Sequence, residues 1–165
     1  MDQPDQRHPY IAPRNRRLDD VCYETVGQPV FVTVRAYRGS QPFRDPRTAD
    51  TVTTCLLDER DRYGCDVYAY SLMPEHMHIV ACARKNGSNV LTFVDRFKGK
   101  STTLWWNMGC HGKLWQPRSY DHLVRREESL LVIVKYVLDN PVRRGLAERW
   151  EDYGWCGLLD PMPLG

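Results

Sequence analysis

The stretch Cys65-Asp-Val-Tyr-Ala-Tyr-Ser-Leu-Met73-Pro74-Glu75-His76-Met77-His78-Ile-Val-Ala-Cys-Ala-Arg84 decides how this chain is laid out. Both halves are runs of strand length, with Val67, Tyr68 and Tyr70 in the first and Ile79 and Val80 in the second suiting a pleated, half-buried surface. The link between them, Pro74-Glu75, is too short for anything but a tight turn, so the two runs predict a β-hairpin. Upstream, Pro29 to Tyr37 reads as another strand, stopped at Gly39-Ser40. Between that strand and the hairpin, Val52, Cys55, Leu56 and Glu59 recur at three-and-four spacing, a helix over 48–62 closed by Tyr63-Gly64. Downstream, Ser88 is placed to cap a helix whose Val90, Phe93, Val94 and Phe97 form one apolar stripe. Trp115 to Val124 offers a fourth strand, and a last helix is expected from about Glu127 to Asp139. Strand, helix, hairpin, helix, strand and an added helix make an α+β fold. It is the ferredoxin-like split βαβ arrangement, an antiparallel sheet with a C-terminal helix.

The 165 residues fit one domain and make two independent cores unexpected. With 42% apolar and 27% charged side chains, the composition is that of an ordinary globular protein. The net charge of +2 argues at first against nucleic acid as a partner, but 18 of the 23 basic residues are Arg and 5 are Lys. Arg is the planar, bidentate cation suited to phosphate and to stacked bases. No apolar run approaches a membrane span and the N-terminus is polar, so the expectation is a cytoplasmic protein without a secretory signal or a membrane partner. Six cysteines without a C-x-x-C pair predict reduced, mostly buried thiols. The expected organisation is a basic arm over 1–28 containing Arg14, Arg16 and Arg17, a domain over 29–157, and a short tail over 158–165.

Two features carry chemistry. On a strand, residues two apart share a face, so His76 and His78 converge while Met77 points away. Two imidazoles so placed can chelate a divalent ion, and they serve equally as two packed histidines. The second feature is Ser129-Leu-Leu-Val-Ile-Val-Lys-Tyr136-Val-Leu-Asp-Asn140-Pro141. A turn of about 100° per residue gathers Leu130, Leu131, Val134, Val137 and Leu138 into a core stripe. Ser129, Tyr136 and Asn140 then fall on the far side, flanked by Val132 and Ile133. Tyr136 and Asn140, four apart, can address one site. A tyrosine there is a candidate nucleophile, given a nearby metal or base to help ionise a phenol whose ordinary pKa is about 10. Asn140 followed by Pro141, with Gly145 further on, also reads as a helix cap.

Tyr70-Ser-Leu-Met-Pro-Glu-His-Met-His-Ile-Val80 resembles the segment that carries the HUH motif of single-tyrosine transposases of the insertion-sequence type. Leu114-Trp-Gln116, Tyr120-Asp-His122, Tyr136 through Leu146, and Glu151-Asp-Tyr-Gly-Trp155 resemble the REP-associated tyrosine transposases in particular, over residues 25 to 157. The resemblance implies a metal-dependent enzyme that cuts and rejoins single-stranded DNA at imperfect, REP-like hairpins through a 5′-phosphotyrosine. On that basis Tyr136 would be the catalytic nucleophile. His76, His78 and Asn140 would hold Mg²⁺ or Mn²⁺, Asn140 standing where more distant relatives use Gln. Glu75 departs from the family, which often has Asn before the first histidine. Arg14, Arg16, Arg17, Lys98, Lys100, Arg118, Arg143 and Arg144 are the expected DNA contacts, with Trp105, Trp106, Trp115 and Tyr120 as candidate stacking platforms. Monomer and homodimer both fit, the short segment after Val124 favouring the monomer. Two other classes compete: a hairpin-binding protein that does not cleave, and an unrelated metal hydrolase using His76, His78 and His111 or His122.

Overall fold

In the computed structural model, which describes residues 17–125 and 129–163, five strands form one antiparallel sheet. They are β1 (Val30–Ala36), β2 (Cys65–Met73), β3 (His76–Ala83), β4 (Trp115–Leu123) and β5 (Cys156–Leu158), in the order β4-β1-β3-β2-β5. The first four have the ferredoxin-like order expected from the sequence, and β5 extends the β2 edge. The Pro74-Glu75 turn sets the hairpin register, pairing Met73 with His76 and Ser71 with His78. On its other side β3 pairs with β1, so that Arg35 lies across from His76 and Thr33 from His78.

Alternation along the strands divides the side chains between two layers. Val30, Val32 and Val34 of β1, with Met77, Ile79 and Ala81 of β3, face α2 (Pro46–Arg62) and α3 (Val90–Asn107). There they pack with Val52, Leu56, Phe93 and Phe97 in the main core. Phe31, Val80 and Cys82 point the opposite way, into a second cluster closed by α4 (Leu130–Leu138). Aromatic and branched residues thus line both sheet faces, but the second face is apolar only at one end. His76, His78, Thr33 and Arg35 occupy the rest of it.

Several local expectations change. Asn89, not Ser88, caps α3: its side-chain oxygen accepts from the Thr92 amide at 3.0 Å, while Ser88 is buried. The start of the last helix expected at Glu127 lies outside the described residues; α4 begins at Leu130 and breaks after Leu138 into the short α5 (Asn140–Arg143). The stripe that α4 buries shares Val134, Val137 and Leu138 with the expected one but takes Ile133 in place of Leu131. Ile133, Val134, Val137 and Leu138 are buried, whereas Leu131 is 64% exposed. The helix is apolar on nearly every side, so hydrophobic periodicity alone does not select the face that meets the sheet.

Segments near both ends of the described residues are fastened to the sheet. Ahead of β1, the single-turn helix α1 (Asp20–Glu24) buries Tyr23, whose hydroxyl donates to Asp121 of β4 at 2.5 Å. Gly27 donates to the Ala83 carbonyl at 3.0 Å. Beyond β5, the Asp160 carboxylate accepts from the Val67 amide at 2.7 Å and pairs with Arg60 at 3.1 Å. Arg14 and Arg16 lie outside the described residues. All six cysteines are free, four of them buried, and burial pushes the Cys55 and Cys65 thiols up to about 12.

Candidate active site

His76 and His78 share the polar end of that face of β3 and are nearly enclosed, 6% and 7% exposed. Their Nε2 atoms approach to 3.1 Å. Each outer nitrogen has its own partner. His76 Nδ1 is 3.1 Å from Glu75 Oε1, and His78 Nδ1 is 2.8 Å from Thr33 Oγ1. A carboxylate only accepts, so its contact assigns a proton to His76 Nδ1. His76 Nε2 then accepts from His78 Nε2–H, and His78 Nδ1 accepts from the Thr33 hydroxyl. The chain of four groups is satisfied with both imidazoles neutral.

Electrostatics agree with neutral rings. Burial, opposed by the neighbouring Glu75, lowers the His76 pKa. Burial, together with the cost of charging a ring beside His76 and the positive Arg35 and Arg143, holds His78 well below the ordinary imidazole range. Burial alone would raise the Glu75 carboxyl, but Arg144 and His76 outweigh it and hold it down. Arg144 reaches Glu75 with two bonds, at 2.7 Å and 3.4 Å.

The α4–α5 unit delivers the second half of the site. One face of α4 packs on Phe31 and Val80, which carries Tyr136 to the edge of the histidine pair. Its ring centroid is 5.8 Å from that of His78 and 6.1 Å from that of Phe31. The break at Asp139 turns the chain so that Arg143 covers the Tyr136 ring at 4.2 Å and Arg144 reaches Glu75. Asn140 stands at this break, 6% exposed, and its Nδ2 has no partner among the described residues. An orphaned buried amide of this kind fits a site that takes up another group.

The structure therefore brings Tyr136, His76, His78, Arg143 and Arg144 together in one chain, with Asn140 one helical turn beyond the tyrosine. Other residues singled out from the sequence are elsewhere. Lys98 belongs to the helical layer behind the sheet, where its Nζ donates to the Gln116 carbonyl at 2.7 Å. Lys100 is exposed on the same helix, and Arg17 lies near Tyr23 and Lys98. Trp115 is a core residue that donates to Ser101 at 2.9 Å; Trp106 is exposed and donates to the Gly112 carbonyl. Arg118 is exposed on β4. Thr33, Arg35 and Glu75 escaped a sequence reading of the site because strand register brings the first two to the histidines. Glu75 was visible as a departure beside His76, but its partner lies 69 residues away.

Residues 27–140 match the family described as Transposase IS200 like. The chain belongs to the IS200-like transposase family. Its fold is similar to that of a REP-associated tyrosine transposase bound to a REP hairpin, with a TM-score of 0.69 and 21% identity over 93% of this chain and 92% of the other. It is also similar to a transposase-like protein of Deinococcus radiodurans R1, with a TM-score of 0.53 and 19% identity over 70% and 92% of the two chains. No curated protein sequence matches the chain. Among the described residues no helix is long and apolar enough to cross a membrane. The family and the strand order bear out the sequence reading of an α+β transposase domain.

Proposed function

We propose that this transposase-family chain is a metal-assisted enzyme that cuts and rejoins single-stranded DNA beside hairpins, with Tyr136 as nucleophile. The observation that supports this most directly is the Tyr136 ring standing beside the neutral His76–His78 pair, under the Arg143 guanidinium. The phenolic oxygen attacks phosphorus, the P–O3′ bond breaks, and the products are a 5′-phosphotyrosine and a strand ending in a 3′-hydroxyl. The phenol gives up one proton and the 3′-oxygen gains one. The covalent link keeps the phosphodiester energy, so a second 3′-hydroxyl can reverse the step without ATP.

Among the described residues no three His, Cys, Asp or Glu side chains gather as metal ligands. The histidine pair would therefore need a donor of another type, and the oxygen of the Asn140 amide, one helical turn beyond Tyr136, would be that donor. Two neutral imidazoles and an amide oxygen suit Mn²⁺ or Mg²⁺. Such an ion, when bound, supplies a Lewis acid for a phosphate oxygen. Glu75 and Thr33 hold the outer imidazole nitrogens, as groups behind metal-binding histidines commonly do. The Thr33 hydroxyl both donates and accepts, so it follows His78 if that ring moves its proton to Nδ1 and frees Nε2. Arg143 is placed to meet the phosphate and then the phosphotyrosine.

The test is denaturing electrophoresis of the protein with labelled single-stranded hairpins and Mg²⁺ or Mn²⁺. A covalent protein–DNA band that disappears in Tyr136→Phe is expected. Hairpin binding without any covalent band would favour a non-cleaving binder, and a cut strand without one would favour a hydrolase.

A further inference from the structure

Beside the histidines, the β1–β4 ladder is irregular. Val34 pairs with Ser119 and Ala36 with Trp115, so one residue of β1 faces three of β4. Pro117 explains the interruption, since it has no amide to give to the ladder. Arg35 lies opposite this bulge, and Arg35, Gln116, Pro117, Arg118 and Tyr120 line a depression of about 290 Å³. It opens on the face that holds the site: Arg35 is across from His76, and Tyr120 is across from Thr33, which is across from His78. Two strand spacings, about 10 Å, separate the Tyr120 and His78 backbones. The Arg35 guanidinium lies 5.6 Å from the centre of the Tyr120 ring, and both side chains are exposed. Among the described residues no carboxylate pairs with Arg35 or Arg118, and no acidic residue lines the depression.

We propose that this bulge depression is a nucleotide subsite, in which an unpaired base next to the cleavage point stacks on Tyr120 while Arg35 holds its phosphate. The proposal rests on the single-strand reading above and adds where the strand lies. An aromatic ring and a guanidinium without an acid between them suit a base and a phosphate, and strand register puts the depression on the sheet face of the histidine pair. Stacking tolerates any base, so the subsite positions the strand without reading its sequence.

Fluorescence anisotropy tests it with two labelled probes: a DNA hairpin with random-sequence unpaired flanks, and the same hairpin without flanks. On the flanked probe, Tyr120→Ala should bind roughly 5- to 150-fold more weakly, the span of base–aromatic stacking, with an unchanged salt slope. Tyr120→Phe keeps the ring and should bind within about twofold of the parent protein. Arg35→Ala should flatten the slope of log K against log salt by about 0.7, one phosphate contact. On the flankless hairpin all three should match the parent. Equal losses on both probes, a Phe variant as weak as the Ala variant, or an unchanged slope in Arg35→Ala would each overturn the subsite alone. A parent protein that gains nothing from the flanks would overturn the subsite and the single-strand reading together.

Discussion

The Tyr136 ring and the His78 imidazole, 58 residues apart in sequence, lie 5.8 Å apart between centroids within one chain. Their proximity depends on two separate pieces of folding. Strand alternation and hairpin register bring His76 and His78 to one spot on β3. The packing of Ile133, Val134, Val137 and Leu138 against Phe31 and Val80 then sets α4 on the same sheet face. The Glu75–Arg144 bonds join the two pieces directly, tying the chain after the tyrosine helix to the turn before the histidines.

A site completed within one chain makes a prediction about mixed variants. Tyr136→Phe lacks the proposed nucleophile and His76→Ala lacks a proposed ligand, so each alone should form no covalent DNA adduct. A mixture of the two should stay inactive as well. If mixing restores the adduct, the tyrosine of one chain works with the histidines of another, and α4 is exchanged between copies. Denaturing electrophoresis of mixed proteins on a labelled single-stranded hairpin reads the result.

Thr33 and Glu75 should matter to the metal more than to the fold. Removing a group that orients a ligand histidine commonly costs about 10- to 100-fold in metal affinity. Thr33→Val keeps the shape of the side chain and removes the hydroxyl, so Mn²⁺ affinity measured by calorimetry should fall in that range. Glu75→Ala should behave alike. Because Arg144 is exposed, losing its partner there should change stability by no more than about 1 kcal/mol. A falling Tm with unchanged Mn²⁺ affinity would make Glu75–Arg144 a surface ion pair and no more.

The hairpin, the two helices behind the sheet and the pairing of His76 with His78 were legible because each is set by short-range periodicity. The environment of the histidines was not. Thr33 and Arg35 reach them through β1–β3 register, and Arg144 through the break at Asp139, neither of which any local pattern encodes. The α4 surface misled for a different reason. Its apolar residues surround the axis, and the buried stripe Ile133–Val137–Asn140 ends in an amide that polarity alone places on the outside. The bulge opposite Arg35 was signalled only by Pro117, which blurred the limits of β4 without showing the cavity it makes.

Acid should destabilise the metal-free protein in a defined window. Both imidazoles have lowered values in the folded chain, whereas an unfolded histidine titrates near about 6.5. Below that pH the unfolded chain binds more protons than the folded one, so stability is complete above it and falls as the pH drops. Urea midpoints with chelator present should be level from about pH 8 to 7 and decline below about 6.5. The His76→Gln/His78→Gln double variant should lose that decline. An equally steep decline in the double variant would place the titrating groups elsewhere.

The face of α4 that meets the sheet can be tested by truncating two neighbours in the same helix. Ile133 is 2% exposed in the second core cluster, and Leu131, two residues earlier, is 64% exposed. Truncation to Ala in a packed core removes transfer energy and leaves a cavity, costing about 2–5 kcal/mol. The same change on the surface stays within about 0.5 kcal/mol. Ile133→Ala should therefore shift the urea midpoint strongly and Leu131→Ala hardly at all. Covalent adduct formation should follow the same order, since Ile133 holds the helix that presents Tyr136. A reversed order would mean that the Leu130–Leu131 stripe meets the sheet. Tyr136 would then be turned away from His78, and the one-chain site would fail with it.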